Sequence, residues 1–213
     1  MRWMPLAVLL TALGGCAGMG ADECRTADWR AIGYEDGVQG HSAAYFGTRR
    51  KECAEHGVTA NFDAWLAGRA EGMDHFCRPQ NAYELGLQGL RDPGVCPAML
   101  EAAFVAAHAD GYGLYERGEM LERLRERLHH SRKRSQKIEH LLAERTTRLI
   151  APYLAPSERA TIAVELKQLT EERLELERTI DRLEDEHAAA EREYEDYRRR
   201  IAAGSPTREA TDR

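Results

Sequence analysis

Serine is nearly missing from the first 130 residues of this 213-residue chain, where Ser42 is the only one between Cys16 and Ser131. It stands in no nucleophile-elbow context, so a serine, histidine and aspartate triad is not expected. Aromatic residues make up only 7% of the chain, and no apolar run approaches the ~20 residues that a membrane-spanning helix needs. A polytopic membrane protein is thereby excluded. Basic charge is not in excess either: the formal net charge is −6 and the pI is near 5.8. The chain lacks the global positive field that binds nucleic acid nonspecifically, and no nucleic-acid partner is expected. There is no Cys-x-x-Cys pair, no haem-attachment motif, and no Gly-x-Gly-x-x-Gly or Walker-type run after a predicted strand. Those absences remove the common zinc frameworks and the phosphate-cradling loops, and no cofactor is expected.

What is present is unevenly distributed. Residues 116–213 hold 21 Lys/Arg and 22 Asp/Glu, so 43 of 98 side chains are charged there. All five Cys, all three Trp and all four Phe precede Leu114, which makes the first half the candidate for a compact core.

The chain opens with a basic Arg2, an apolar run from Leu6 to Leu10, and Leu13-Gly14-Gly15-Cys16. This is the pattern of a signal peptide over residues 1–15 with a lipobox, the alternative being a plain secretory signal cleaved elsewhere. Small residues before Cys16 suit a protease that reads extended chain, and the Cys16 thiol is then free for lipidation. Acyl chains, palmitate among them, contribute ~0.8 kcal/mol per buried methylene and anchor without a transmembrane helix. Ala17, rather than Asp, follows Cys16, which in a Gram-negative cell favours the outer membrane facing the periplasm. Residues 16–22 then read as a flexible tether containing Gly18 and Gly20.

Four cysteines remain, at 24, 53, 77 and 96, an even number in a chain bound for an oxidising compartment. Two disulfides follow, and three pairings are possible. An antiparallel pair of helices over 28–40 and 42–56 would bring Cys24 near Cys53, which favours Cys24 with Cys53 and Cys77 with Cys96. A metal site competes, because His41, His56, His75 and His108 lie among the cysteines. The spacing argues against metal and makes the histidines surface or helix-end residues.

An aromatic followed by glycines at helical spacing recurs four times: Trp29, Gly33, Gly37; Trp65, Gly68, Gly72; Tyr83, Gly86, Gly89; and, more loosely, Phe104, Ala107, Gly111. Residues three and four apart share a helix face, so small residues there let a second backbone approach while the aromatic covers the contact. Each Gly costs ~1 kcal/mol in a helix interior, so the pattern needs a packing reason; Gly40 and Gly57 are expected at helix ends instead.

These residues, with Asp36, Cys53-x3-Gly57, Gly68-Arg69-x2-Gly72, Cys77-x-Pro79 and Cys96-Pro97, resemble the bacterial lipoproteins that carry the domain of unknown function 2799, over about residues 22–118. The resemblance implies an envelope lipoprotein with a cysteine-containing helical domain and a coiled-coil tail. It brings no activity, substrate or catalytic residue.

Glu35-Asp36 and Glu71 with Asp74 are acids that two environments can hold in different states, but they read as the solvent face of Gly-rich helices. Arg69 is the polar residue to watch, either binding an anion or pairing with Glu71 or Asp74. No catalytic residue is expected, and the chain is not expected to be an enzyme.

From Leu114 a heptad repeat runs through Leu121, Leu124, Leu128, Ile138, Leu142 and Leu149, with Arg117, Ser131, Ser135 and Arg145 as polar seam positions. Two prolines at 152 and 156 interrupt it; Ser157 reads as an N-cap, and a second run follows through Ile162, Leu169, Leu176, Leu183 and Tyr197. Residues 116–150 carry a net +4 and residues 157–203 a net −5, which favours pairing the two runs in an antiparallel hairpin turning near 151–157. A turn centred on Pro152 sets Leu121 against Leu183 and Arg145 against Arg159. Arms of ~45 residues would project ~60 to 70 Å. Residues 204–213 read as a disordered tail.

The expected architecture is thus all-α: a small disulfide-bonded helical domain over residues 23–113, then a coiled-coil hairpin over 114–203. The expected function is noncatalytic interaction or scaffolding in the envelope, with the membrane met through the lipid anchor and a protein partner or self-association through the coiled coil. The alternative is a small-ligand or metal-binding envelope domain with the coiled coil as spacer.

Overall fold

The computed structural model describes residues 18–204. Among them are seven α-helices and no β-strand: α1 (Ala21–Thr26), α2 (Trp29–Val38), α3 (Phe46–Ala54), α4 (Phe62–Phe76), α5 (Pro79–Leu87), α6 (Ala98–Leu149) and α7 (Pro156–Gly204). The class is all-α, with a long helix pair as expected. Cys16, the signal peptide and nearly all of the expected tail lie outside the described residues. No described helix is long and apolar enough to cross a membrane.

Local chemistry sets the helix ends. The Asp28 side chain accepts from the N–H groups of Arg30 and Ala31 and starts α2, and Asn61 accepts from Ala64 and starts α4. Gly40, Gly57 and Gly89 have φ of 75°, 71° and 70° and follow the ends of α2, α3 and α5. After α2 and α5 the closing bonds have the same form, His41 N–H to Asp36 C=O and Leu90 N–H to Leu85 C=O. The helix expected over 42–56 is interrupted, since Ala43–Tyr45 is a 3-10 turn and α3 begins only at Phe46. At α7 the first helical residue is Pro156 rather than a residue after a Ser157 cap. Proline has no N–H to leave unpaired at that position, and its φ is already helical.

The described residues form two compact units, one of the residues up to Ala82 with Asp92–Ala106, the other of Tyr83–Arg91 with the residues from Ala107 onward. This differs from the boundary expected at residue 114. The heptads do start at Leu114, but no breaker precedes it after Pro97, so α6 runs 52 residues without interruption.

In the first unit, Cys24–Cys53 and Cys77–Cys96 are disulfides with Cα atoms 5.4 and 5.7 Å apart. The first is buried with Trp29, Phe46 and Trp65, and Phe46 meets the other two rings edge-on or tilted at 6.3 and 5.2 Å. Phe76 stacks on the fully buried Phe104 at 5.6 Å.

Helices α2 and α4 cross in this unit with backbone against backbone. A Cβ at Gly33 would meet the Trp65 carbonyl, one at Gly37 the Arg69 carbonyl, one at Gly68 the Arg30 carbonyl and one at Gly72 the Tyr34 carbonyl, all inside 3.0 Å. The contact is reciprocal, two glycines from each helix. In the second unit the same device joins α5 to α6, where a Cβ at Gly86 would meet the His108 carbonyl and one at Gly111 the Tyr83 carbonyl.

The remainder of the second unit is the antiparallel α6–α7 hairpin. Leu124, Leu128 and Leu183 form a buried cluster. Arg132–Glu184 (2.7 Å), Arg134–Glu172 (2.6 Å) and Arg127–Glu186 (3.8 Å) pair the arms. The register is not the one expected from a turn centred on Pro152. Leu183 packs with Leu124 and Leu128, and Arg145 pairs with Glu165 at 2.7 Å instead of facing Arg159. Sliding one arm by about a helical turn keeps the seam facing its partner, so periodicity leaves the axial register open. The turn settles it, because the Arg159 side chain donates to the carbonyls of Leu149, Ala151 and Leu154.

Substituting Gly33→Ala or Gly68→Ala is expected to destabilise the folded chain by ~1 to 3 kcal/mol, since the added methyl meets main chain that no rotamer change can move. Gly47→Ala, in α3 with nothing within 4 Å of an added Cβ, is expected to stabilise by ~0.4 to 1 kcal/mol. Urea unfolding of the oxidised protein measures both.

Candidate functional site

Asp36 is one of eight fully buried side chains of large volume and the only charged one among the described residues. It lies on the same face of α2 as Gly33 and Gly37, which is the face that meets α4. Its carboxylate accepts three hydrogen bonds. Arg49 on α3 donates from Nη2 to Oδ1 at 2.8 Å and from Nε to Oδ2 at 3.3 Å, and Trp65 on α4 donates from Nε1 to Oδ2 at 2.8 Å. The node therefore ties α2, α3 and α4 together through one carboxylate. The hydrogen bond to Asp36 holds the Arg49 guanidinium above its ordinary pKa against the opposing effect of burial. Tyr45 lies 5.2 Å beneath that guanidinium and stacks on His41 at 3.8 Å.

The expectation that Glu35 and Asp36 form a solvent face is half overturned. Glu35 is exposed and Asp36 is not. A buried charge is strongly disfavoured unless its lone pairs are taken, and here the bidentate fork of Arg49 and the indole N–H take them. The signal in the sequence was the spacing, since Asp36 sits three residues after Gly33 and next to Gly37. Glu71 and Asp74 are exposed, and Glu71 pairs with Arg30 across the α2–α4 crossing.

Arg69 is paired with neither acid suggested for it. Its Nε donates to the His41 carbonyl at 2.7 Å, and no ion pair involves it among the described residues. Burial, with no acid to offset it, pushes its guanidinium below the ordinary value. Its side chain joins the end of α2 to α4 just beyond the glycines.

The four cysteines expected to be paired are disulfide-bonded, so none offers a thiolate to a metal. His41 stacks on Tyr45, His75 meets the edge of Tyr34, and His108 bonds the Leu90 carbonyl at 2.8 Å. His56 is exposed just past the end of α3. Among the described residues no three His, Cys, Asp or Glu side chains are grouped as metal ligands.

Spacing shows a further regularity that the aromatic-and-glycine pattern hid. Gly33 follows Cys24 by nine residues, and Gly86 follows Cys77 by nine; Gly68 follows Cys53 by fifteen, and Gly111 follows Cys96 by fifteen. Each disulfide thus joins the segments leading into a glycine-crossed helix pair. The residue three before the second crossing glycine is Trp65 in one case and His108 in the other. Both use a ring nitrogen on the partner helix or its cap, Asp36 for Trp65 and the Leu90 carbonyl for His108.

Along α6 and α7 the polar seam position Arg117 has partners on both arms. Arg117 donates to the Gly113 carbonyl at 2.9 Å, lies 3.9 Å over the Tyr197 ring and reaches Glu193 at 3.1 Å. A groove of about 790 Å³ is lined by Arg125, His129, Arg132, Lys133, Glu184 and His187, and the Arg132–Glu184 pair lies within it. Of the adjacent basic residues Arg132, Lys133 and Arg134, the two arginines are paired with the acidic arm, at Glu184 and Glu172.

Asp36→Ala is expected to lower stability by ~3 kcal/mol or more, because Arg49 and the Trp65 indole lose their acceptor in a buried place. Adding Arg49→Met to that variant should recover part of the loss, and a double-mutant cycle by denaturant unfolding reads the coupling. A purely additive cycle would contradict the node.

Over residues 28–113 the chain matches the family model described as protein of unknown function DUF2799, a stretch that holds both glycine crossings and the Asp36 node. No curated protein and no solved structure matches the chain. The first half of this protein is thus similar to a family defined by its sequence and described as having no known function.

Proposed function

We propose that this chain is a lipid-anchored protein of the bacterial envelope, held at Cys16 on the outer membrane facing the periplasm, with a noncatalytic scaffolding role. The observation that carries the reading is the closure of all four remaining cysteines as two disulfides, in a chain that opens with a lipobox pattern. Disulfides persist in oxidising compartments and are rare in the cytosol, which supports export. The buried Asp36 node supports a structural role over a catalytic one. Three hydrogen bonds from Arg49 and Trp65 occupy both carboxylate oxygens, and their geometry joins helices rather than presenting a group to a substrate. The hairpin supports the interaction half of the reading: two helices of 52 and 49 residues offer long charged faces outside their shared seam.

The anchor is tested by Cys16→Ala. The variant is expected to move from the membrane fraction to the soluble periplasmic fraction, while the parent chain stays with outer membranes and takes up labelled palmitate. A parent chain that fractionates as soluble would overturn the anchor. Turnover by the purified mature chain that a single polar substitution abolishes would overturn the noncatalytic reading.

A further inference from the structure

The turn between α6 and α7 differs in chemistry from the arms that carry it. Residues 149–157, Leu-Ile-Ala-Pro-Tyr-Leu-Ala-Pro-Ser, hold no charged side chain, although nearly half of the residues in that half of the chain are charged. Ile150 is 74% exposed and Tyr153 is 99% exposed, the latter more than any other large hydrophobic residue described. Leaving these two side chains in water has no explanation in the packing of the hairpin.

The backbone at the same place is partly covered from within the turn. Arg159 donates from Nη1 to the Leu149 carbonyl at 2.6 Å, from Nη2 to the Ala151 carbonyl at 2.7 Å and from Nε to the Leu154 carbonyl at 3.3 Å. The Ala151 N–H bonds the Arg148 carbonyl, the Ala155 N–H bonds the Glu158 side chain at 3.4 Å, and Pro152 and Pro156 have no N–H to satisfy. In water such coverage gains little, because water serves the same groups. Where water is scarcer it lowers the penalty for bringing a turn in, which is unsatisfied backbone, and the remaining groups at headgroup depth still meet water and lipid headgroups. The charge of Arg159 is itself spent on the carbonyl end of α6, which carries partial negative charge. Behind the turn Arg148 lies 3.8 Å from Glu158 and Arg145 lies 2.7 Å from Glu165, so the neck presents paired charges.

We propose that this tip inserts into a lipid surface at headgroup depth, with Ile150 and Tyr153 as its anchors. A tyrosine with an apolar ring and a polar end is suited to that layer. A protein partner is disfavoured by size, since a stable interface buries ~1,000 Å² or more and the tip offers two large exposed side chains. A knob this small binds weakly by itself and acts when the chain is already held at a membrane, where effective concentration does the rest. In that respect the inference rests on the anchored reading above. Because the neck charges are paired, insertion does not depend on anionic lipid or low salt, unlike adsorption through the basic side of α6.

The test places an indole at the tip by Tyr153→Trp, a change at a nearly fully exposed position. The mature chain with an N-terminal hexahistidine tag is held on phosphatidylcholine vesicles that contain a nickel-chelating lipid and brominated acyl chains, so Cys16 plays no part. The parent chain, with only Trp29 and Trp65, gives the buried background, and Val164→Trp places a control indole on the arm. The tip indole is expected to shift to the blue and to lose about half of its emission to bromine, equally at low and high salt and with or without phosphatidylglycerol. Adding Ile150→Ser should weaken that quenching. Quenching no greater than for the Val164→Trp control would overturn the proposal, as would quenching that appears only with anionic lipid at low salt. A concentration-dependent blue shift without vesicles would overturn it in favour of tip-to-tip association of two copies. The Cys16→Ala fractionation fails or succeeds independently of all three.

Discussion

Helix backbones that touch with no side chain between them govern the layout of the first unit. At the α2–α4 crossing Gly33 and Gly37 face Gly68 and Gly72, and a single methyl at any of the four would strike main chain. Such closeness requires glycine, and glycine weakens a helix by ~1 kcal/mol per position. Isolated, α2 and α4, of ten and fifteen residues, would be poor helices. The compensations sit around the crossing: Asp28 and Asn61 as caps, the Cys24–Cys53 disulfide, and an aromatic cluster of Trp29, Phe46 and Trp65. A disulfide of this kind contributes ~2 to 4 kcal/mol, largely by restricting the unfolded chain.

Close approach also explains why a carboxylate is buried. On the helix face shared with Gly33 and Gly37, Asp36 comes within hydrogen-bonding reach of Arg49 on α3 and Trp65 on α4. Replacing such a node by well-packed apolar groups is often neutral in other proteins, so its value here is better seen as geometric. Three donors at defined angles select one rotation of α2 against α3 and α4. The second glycine crossing, between α5 and α6, does without a charge and uses the His108 ring on the Leu90 carbonyl at the α5 cap. The matching intervals of nine and fifteen residues from cysteine to glycine make the two crossings variants of one plan.

The hairpin obeys different rules. Few of its side chains are fully buried, and its arms are matched by a leucine seam and by Arg–Glu pairs that are mostly exposed. Exposed pairs contribute only ~0 to 1 kcal/mol each, so they select the partner and direction more than they stabilise. At the tip, Arg159 collects three carbonyls with one side chain.

Much of this was legible before any coordinates. The all-α class, the glycine faces and the antiparallel arms follow from spacing and charge, since a 3.6-residue period and opposite net charges leave few alternatives. The helix ends at Gly40 and Gly57 were legible for the same local reason, a backbone conformation that only glycine adopts easily. What lay beyond the sequence depended on which faces met. Asp36 and Glu35 are adjacent and chemically alike, yet one is buried and one exposed, because the α4 backbone covers only the Gly33–Asp36–Gly37 face. Arg69 is bound to the His41 carbonyl rather than to a nearby acid because the end of α2, not the surface of α4, lies within its reach. The hairpin's axial register belongs here too, since sliding by a turn still sets seam residues against seam residues, and the Arg159-clamped turn and the cross-arm Arg–Glu pairs are what distinguish the alternatives. Periodicity and composition act along one helix and determined its kind and its sticky face. Distances between helices were decided by tertiary structure, because they depend on atoms far apart in the chain.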